Sequence, residues 1–352
     1  MNEMLNTKVT PYLKQRWSFL STDERGVVTI ENVPVDALAQ KYGTPLFVMV
    51  ESEIRSRLQR FKKAFSYQKM KVQYATKCNS NLEILKIVNN EKVDIDASSV
   101  GEIMLALLAD FKPDQITFTN LYKSEQDIMF AAKLGINAIT IDSAEELERV
   151  ESVGEKMGLK INIFLRFNPF IEYKDYTSKY HQYGIPITMA EQVIDKAATS
   201  QYVKITGLHF HGGYVNHSKV YFLAAEKLVK LAAYIKKKYD ITVKSIDLGG
   251  GIPFDEQYEQ TFTPEDFGNE FSTYFEELVK KYELEMPTLI FEPGKFIVMN
   301  AGIAIMKVIS RKELVDKNLV VVDGSCYSVL PDIFAAHATY DIVPVTKLND
   351  TN

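Results

Sequence analysis

The chain has 352 residues, 46% hydrophobic and 25% charged, which is globular composition with ample length for a large buried core. A formal charge of -5 argues against a nucleic-acid surface, which needs a basic stripe. No apolar run approaches the roughly 20 residues that span a bilayer. The N-terminal MNEMLNTKVTPYLKQRW lacks the basic-then-apolar order of a secretory signal, so a cytoplasmic protein without a membrane partner is expected.

In chain order, Gly26–Ile30 reads as a strand and Val35–Tyr42 as a short helix. A regular rhythm then begins. Eight β-branched or apolar runs follow: Val72–Cys78, Val93–Ala97, Ile116–Thr119, Ala138–Asp142, Ile161–Asn168, Ile205–His211, Ser245–Gly251 and Thr288–Gly294. Between most of them lie amphipathic stretches, including Asn81–Asn90, Val100–Asp110, Ser143–Gly158, Ala190–Thr199, Lys219–Tyr239 and Pro264–Tyr282. Strands alternating with helices predict parallel βαβ units. Eight of them predict an α/β fold of the closed (β/α)8 TIM-barrel type, with an open doubly wound sheet as the alternative. The barrel is expected over residues 45–296. Residues 1–44 and 297–352, with strand-like Ile303–Ile309, Leu319–Val322 and Tyr340–Val345, are expected to form a partial β-domain from both chain ends.

In such barrels the chemistry sits at the C-terminal ends of the strands. Those ends carry Lys77, Asp96, Asn120, Asp142, Arg166, Asn168, His211, Gly249–Gly251 and Glu292. Lys77 either marks where a strand leaves the core or offers an amine, its pKa lowered by burial and neighbouring cations, for a Schiff base. The three glycines either make a tight strand exit or let backbone N–H groups approach a phosphate. Their place after the seventh run favours phosphate. Glu292 either pairs with a nearby lysine or holds a pyridinium nitrogen. His211 either packs as a core histidine or lies on an aromatic ring, and His209, two residues earlier, competes for that role. The two cysteines cannot build a zinc site, and the five histidines include no metal-helix pair, so no metal is expected. An amine, a phosphate cradle, a flat stacking residue and a carboxylate together match the needs of pyridoxal 5′-phosphate (PLP).

These segments resemble the fold-type III PLP-dependent amino-acid decarboxylases, with the diaminopimelate decarboxylases as the nearest members. YATKCNSN is similar to the family's Schiff-base motif, and VDIDASSVGE to its FDVxSxGE motif through Asp96, Ser99 and Glu102. TNLYKS, IDSAEEL and RFNP match further segments through Lys123, Asp142, Ser143 and Arg166; LHFHGGY, DLGGG and EPGK match the rest. The resemblance implies an alanine racemase-like barrel with an appended β-domain, a homodimer, and PLP as cofactor. It implies Lys77, His211 and Glu292 as catalytic residues. It implies cofactor contacts from Lys77, Asp96, Arg166, His211, Gly213, Gly249, Gly250, Gly251, Glu292, Gly294 and Lys295.

The departures are specific. Tyr214 stands where the family has serine, Lys295 where it has arginine, and Leu330-Pro331 where diaminopimelate decarboxylases carry Arg-Pro. The family's Cys-Glu-x-x-Asp motif does not occur, and Cys326 lies too early to be its cysteine. The expected activity is therefore PLP-dependent decarboxylation of an amino acid, either diaminopimelate to lysine or a related basic substrate. The alternative is a catalytically incomplete PLP-binding protein, or one half of a split decarboxylase that needs a separate C-terminal segment. An amino-acid racemase is disfavoured by Glu292, since that enzyme usually lacks a carboxylate at the ring nitrogen.

Overall fold

A computed structural model describes residues 16–253, 262–331, 333 and 340–346; most of the N-terminal segment and the last six residues lie outside them. The chain divides into two compact units, Ile54–Asn300 and the residues on either side of it.

The central unit is a closed barrel of eight parallel strands. They are β1 (Met70–Ala75), β2 (Asp94–Ala97), β3 (Ile116–Phe118), β4 (Ala138–Ile141), β5 (Ile161–Asn168), β6 (Val203–His209), β7 (Ser245–Asp247) and β8 (Thr288–Phe291). Each pairs with the next, and β8 returns to β1 through Leu289↔Met70, Ile290↔Lys71 and Phe291↔Val72. The open-sheet alternative is thereby excluded. β2, β3 and β4 are buried at every position. One face of such a strand lines the barrel interior and the other packs under helices, which is why these runs are apolar rather than alternating.

Seven longer helices connect the strands: α1 (Leu82–Asn90), α2 (Val100–Leu108), α3 (Glu125–Leu134), α4 (Ala144–Met157), α5 (Ala190–Thr199), α6 (Lys219–Tyr239) and α7 (Pro264–Lys281). Their starts are written into the sequence. Asn81, Ser99, Ser124, Ser143 and Thr263 each accept a hydrogen bond from a first-turn N–H, supplying donors there with a partner. Outside β8, Phe291 packs against Phe61, Phe65, Phe267, Phe271 and Tyr221 at ring separations of 4.9–6.3 Å.

The barrel interior is layered. Side chains two apart on a strand share a face, so β5 presents Asn162, Phe164 and Arg166 in turn, and β8 presents Thr288, Ile290 and then Glu292. Ala138, Phe164 and Ile290 form one buried apolar cluster in the middle. Polar residues lie above it, at the strand ends, and below it, at the strand starts.

In the flanking unit, Leu20–Thr22, Val28–Ile30 and Val33–Pro34 form an antiparallel sheet beside helix Val35–Tyr42. Leu46–Met49 pairs with Gly302–Ile305. Leu20, Val28, Ile30, Val35, Val50 and Ile305 make the unit's core. The expected strand Ile303–Ile309 is two strands in different sheets, Gly302–Ile305 and Val308–Glu313. The second forms a hairpin with Asn318–Val322. Tyr340–Val345 is not a strand: Val28 N–H donates to the Val345 carbonyl at 3.1 Å, and Val343 and Val345 pack on the unit's core.

Candidate active site

The C-terminal mouth of the barrel gathers Asp96 on β2, Arg166 on β5, His209 on β6, Asp247 on β7 and Glu292 just beyond β8, all buried. Asp247 is not among the residues singled out from the sequence, and His209 is weighed there only as a rival to His211. The signal for both is the two-residue alternation along a strand, which sets His209 and Asp247 on the inward face.

Glu292 and His209 meet directly, with Nε2 to Oε1 at 3.2 Å and both side chains almost wholly excluded from water. Burial, followed by the charges of Arg166 and Lys77, holds the His209 imidazole well below the ordinary histidine pKa, so it is neutral at pH 7. Burial raises the Glu292 carboxyl, and Lys77 and Arg166 partly offset that. Burial also raises Asp96 and Asp247 well above the carboxylate range, and repulsion from Glu292 adds to it in both. Three carboxyl groups thus share a dry recess. Arg166 gives them little direct pairing, because its guanidinium is committed through Nε and Nη2 to Asp142.

Lys77 lies in the turn Thr76–Cys78 that follows β1, not on the strand. Thr76 fixes that turn: its hydroxyl bonds the Asp96 carbonyl at 2.9 Å and the Glu102 carboxylate, which also accepts from Ser98 N–H at 2.6 Å. The expected lowering of the Lys77 pKa is reversed. Burial pulls it down and Arg166 adds to that, but the charges of Asp96 and Glu292 outweigh both and raise it. Lys77 is an ammonium at neutral pH in the chain as it stands.

The glycines form a cradle that side chains would fill. Gly249 has φ +67°, and a Cβ there would lie 2.4 Å from the Phe210 carbonyl oxygen. At Gly251, φ is +90° and a Cβ would lie 2.2 Å from the Gly213 oxygen. Gly250 approaches the Glu292 carbonyl, and Tyr221 hydroxyl donates to the Gly250 carbonyl at 2.9 Å. Glu292 N–H donates to the Gly249 carbonyl at 2.8 Å, which ties the cradle to the residue that ends β8. Gly294 packs against Cys78 and Ala75, drawing the EPGK turn onto the Lys77 turn.

His211 stands beside the cradle, its ring edge-on to Tyr183 at 4.8 Å and 80°. Its Nδ1 is buried without a hydrogen-bond partner. Burial, then Lys77, keeps it neutral. Tyr183 also lies under the Arg166 guanidinium at 5.5 Å. Gly213 is next to Tyr214, whose exposed ring carries Lys295 Nζ at 4.0 Å from its centroid. The two departures from the family pattern therefore sit on each other. Lys123 is fully buried on Glu146 at 3.1 Å, and Glu146 accepts from Asp142 N–H at 2.9 Å. That pair sits behind the Asp142–Arg166 contact.

This chemistry fits a phosphorylated pyridine aldehyde. A protonated ring nitrogen would add a cation facing the buried carboxyl groups, and the glycine cradle leaves room for backbone approach to a phosphate. His209, Asp247 and Glu292 also bring ligand atoms within 4.8 Å of one another, the donor types a divalent ion uses. A metal would need neither the cradle nor Lys77.

Comparison with known proteins agrees. The family described as pyridoxal-dependent decarboxylase, pyridoxal binding domain, matches residues 51–299. Diaminopimelate decarboxylase of Bacillus methanolicus is 30% identical over 94% of this chain and 80% of its own length. That of Helicobacter pylori is 31% identical over 88% and 76%. Among solved structures, diaminopimelate decarboxylase from M. jannaschii gives a TM-score of 0.81 at 26% identity, covering 91% of this chain and 76% of that one. The H. pylori enzyme complexed with L-lysine gives 0.78 at 29%, covering 88% and 77%. With the family match running along the whole barrel, the chain belongs to the fold-type III pyridoxal-dependent decarboxylases, close to the diaminopimelate decarboxylases.

Proposed function

We propose that the protein is a PLP-dependent carboxy-lyase that converts diaminopimelate to lysine in the cytoplasm. The observation that carries the proposal is the convergence of Lys77, the Gly249–Gly251 cradle and Glu292 on one barrel mouth, in a chain whose relatives are named diaminopimelate decarboxylases.

When bound, PLP supplies an electron sink for the pair released as a substrate carboxylate leaves as CO2. Lys77 would hold it through the amine. Gly213, Gly249, Gly250, Gly251 and Gly294, with Lys295, would receive the phosphate end, and Glu292 and Asp96 the positive ring. His209 keeps Glu292 in place: a carboxylate oxygen only accepts, so Nε2 donates to it. His211, neutral and flat, suits the ring face. Arg166 stays fixed by Asp142 and limits how far the carboxyl cluster repels itself. The dry walls around Asp96 and Glu292 exclude water from the reacting centre. A proton must return to the carbon that lost CO2, and Lys77, charged at neutral pH beside Asp96 and Glu292, is a donor of suitable type.

A homodimer belongs to the same proposal; the solvent-exposed hairpin of the flanking unit supports an association surface. The test is an assay of purified protein with added PLP against diaminopimelate, ornithine and lysine. Lysine and CO2 from diaminopimelate are expected. Putrescine from ornithine with no lysine from diaminopimelate would overturn the substrate assignment.

A further inference from the structure

The opposite end of the barrel carries a second polar layer that the proposed reaction does not use. Below the Ala138–Phe164–Ile290 plug, a cavity of about 290 Å³ opens among the strand starts. Lys71 on β1, Lys204 on β6 and Lys244 just before β7 line it, with Thr206, Ser245 and Thr288 as neutral hydroxyls. An adjoining cavity of about 470 Å³ shares Lys204 and Lys244 and adds Lys160.

The charges there do not cancel. Lys71 is paired with Asp94. Lys160, Lys204 and Lys244 have no acidic partner among the described residues, although the chain as a whole is negative at -5. Lys204 and Thr206 both line the smaller cavity, but Thr206 lies in the bulge between Ile205 and Gly207 and its hydroxyl donates to the Ile163 carbonyl at 3.2 Å, so the ammonium groups are the donors left for a guest. Like charges gathered without counter-charge repel one another, and a bound anion relieves that. The ammonium groups only donate, and the amides of Asn137 and Asn162 and the hydroxyls add both donors and acceptors, so the charged part of the lining favours an acceptor-rich guest.

We propose that this N-terminal vestibule binds a compact anion with two or more negative charges, of the polyphosphate or polycarboxylate type. One apolar layer separates it from the strand-end site, so it is a distinct binding site from the glycine cradle.

Isothermal titration calorimetry on the full chain, saturated with PLP so that the cradle is occupied, tests this with pyrophosphate and citrate as probes. One saturable site is expected for at least one probe, weakened by added salt. The double variant Lys204→Gln/Lys244→Gln should weaken it about tenfold or more, since two charge-assisted contacts are lost. Lys237→Gln, an exposed lysine on α6, should leave it unchanged. These lysines are exposed, so the variants are expected to fold, and a circular dichroism melt checks it. Absence of saturable binding, or equal weakening by Lys237→Gln, would overturn the proposal. Binding that PLP abolishes would assign the anion to the cradle instead.

Discussion

Glu292 shows how much a single residue depends on its surroundings. A carboxyl group buried with two others is costly alone, and useful against a cationic ring. Glu292→Gln keeps the shape but cannot hold the ring nitrogen protonated. We expect PLP to remain bound, with its visible spectrum altered, and turnover to fall about a hundredfold or more, the size typical of losing one preorganised electrostatic partner. Unchanged turnover would make Glu292 structural. Lys295 is the second residue to test. Its ammonium rests on the Tyr214 ring, a contact worth about 0.5–1 kcal/mol at an exposed position. If that contact holds Lys295 toward the phosphate, both Lys295→Ala and Tyr214→Ala should weaken PLP binding severalfold in a fluorescence titration, with Tyr214→Phe close to the parent. Equal affinity in Lys295→Ala would remove it from the phosphate site. At this scale the sequence was informative about identity and poor about state. Lys77, Glu292 and the glycines were placed by strand ends, but the sign of the Lys77 shift depends on Asp96 and Glu292, which arrive from strands far apart in the chain.

At the scale of elements, the turn after β7 is the most constrained piece of the site. Gly249 combines a left-handed backbone with a Cβ position 2.4 Å from the Phe210 carbonyl. Gly249→Ala must shift the turn or the end of β6, at a cost of about 1–3 kcal/mol. We expect a lower melting temperature together with weaker PLP binding, read by thermal denaturation with and without cofactor. A melting temperature equal to the parent would show that the turn relaxes freely. All eight barrel strands were legible, because a strand buried on both faces, as β2 is, writes a continuous apolar run, and five of the helices between them begin with a capping side chain. The ends were less so: Val72–Cys78 reads as one run, yet the strand stops at Ala75 and Thr76–Cys78 is a single helical turn. Leu46–Met49 went unpredicted because its partner, Gly302–Ile305, lies more than 250 residues away. Tyr340–Val345 has strand-like composition without a ladder partner among the described residues, and composition alone does not make a strand.

For the whole molecule, the barrel separates two polar mouths by one apolar layer, and the flanking unit exposes what a barrel would hide. In the hairpin, Val308, Ile309, Leu319, Val320 and Val321 are all exposed, and Val315 stands free at its turn. Unpaired strand edges and apolar side chains of this kind favour pairing with another chain. We expect analytical ultracentrifugation to show concentration-dependent association, reduced by Ile309→Lys/Val320→Lys. A monomer at all concentrations would contradict this. Among the described residues, no helix is long and apolar enough to cross a membrane. Whether the strand-end mouth is a PLP site built around Lys77 is read by borohydride reduction of the PLP-loaded protein, followed by peptide mapping. One cofactor per chain is expected, fixed on Lys77 in YATKCN. A reduced adduct on another lysine, or none at all, would contradict it.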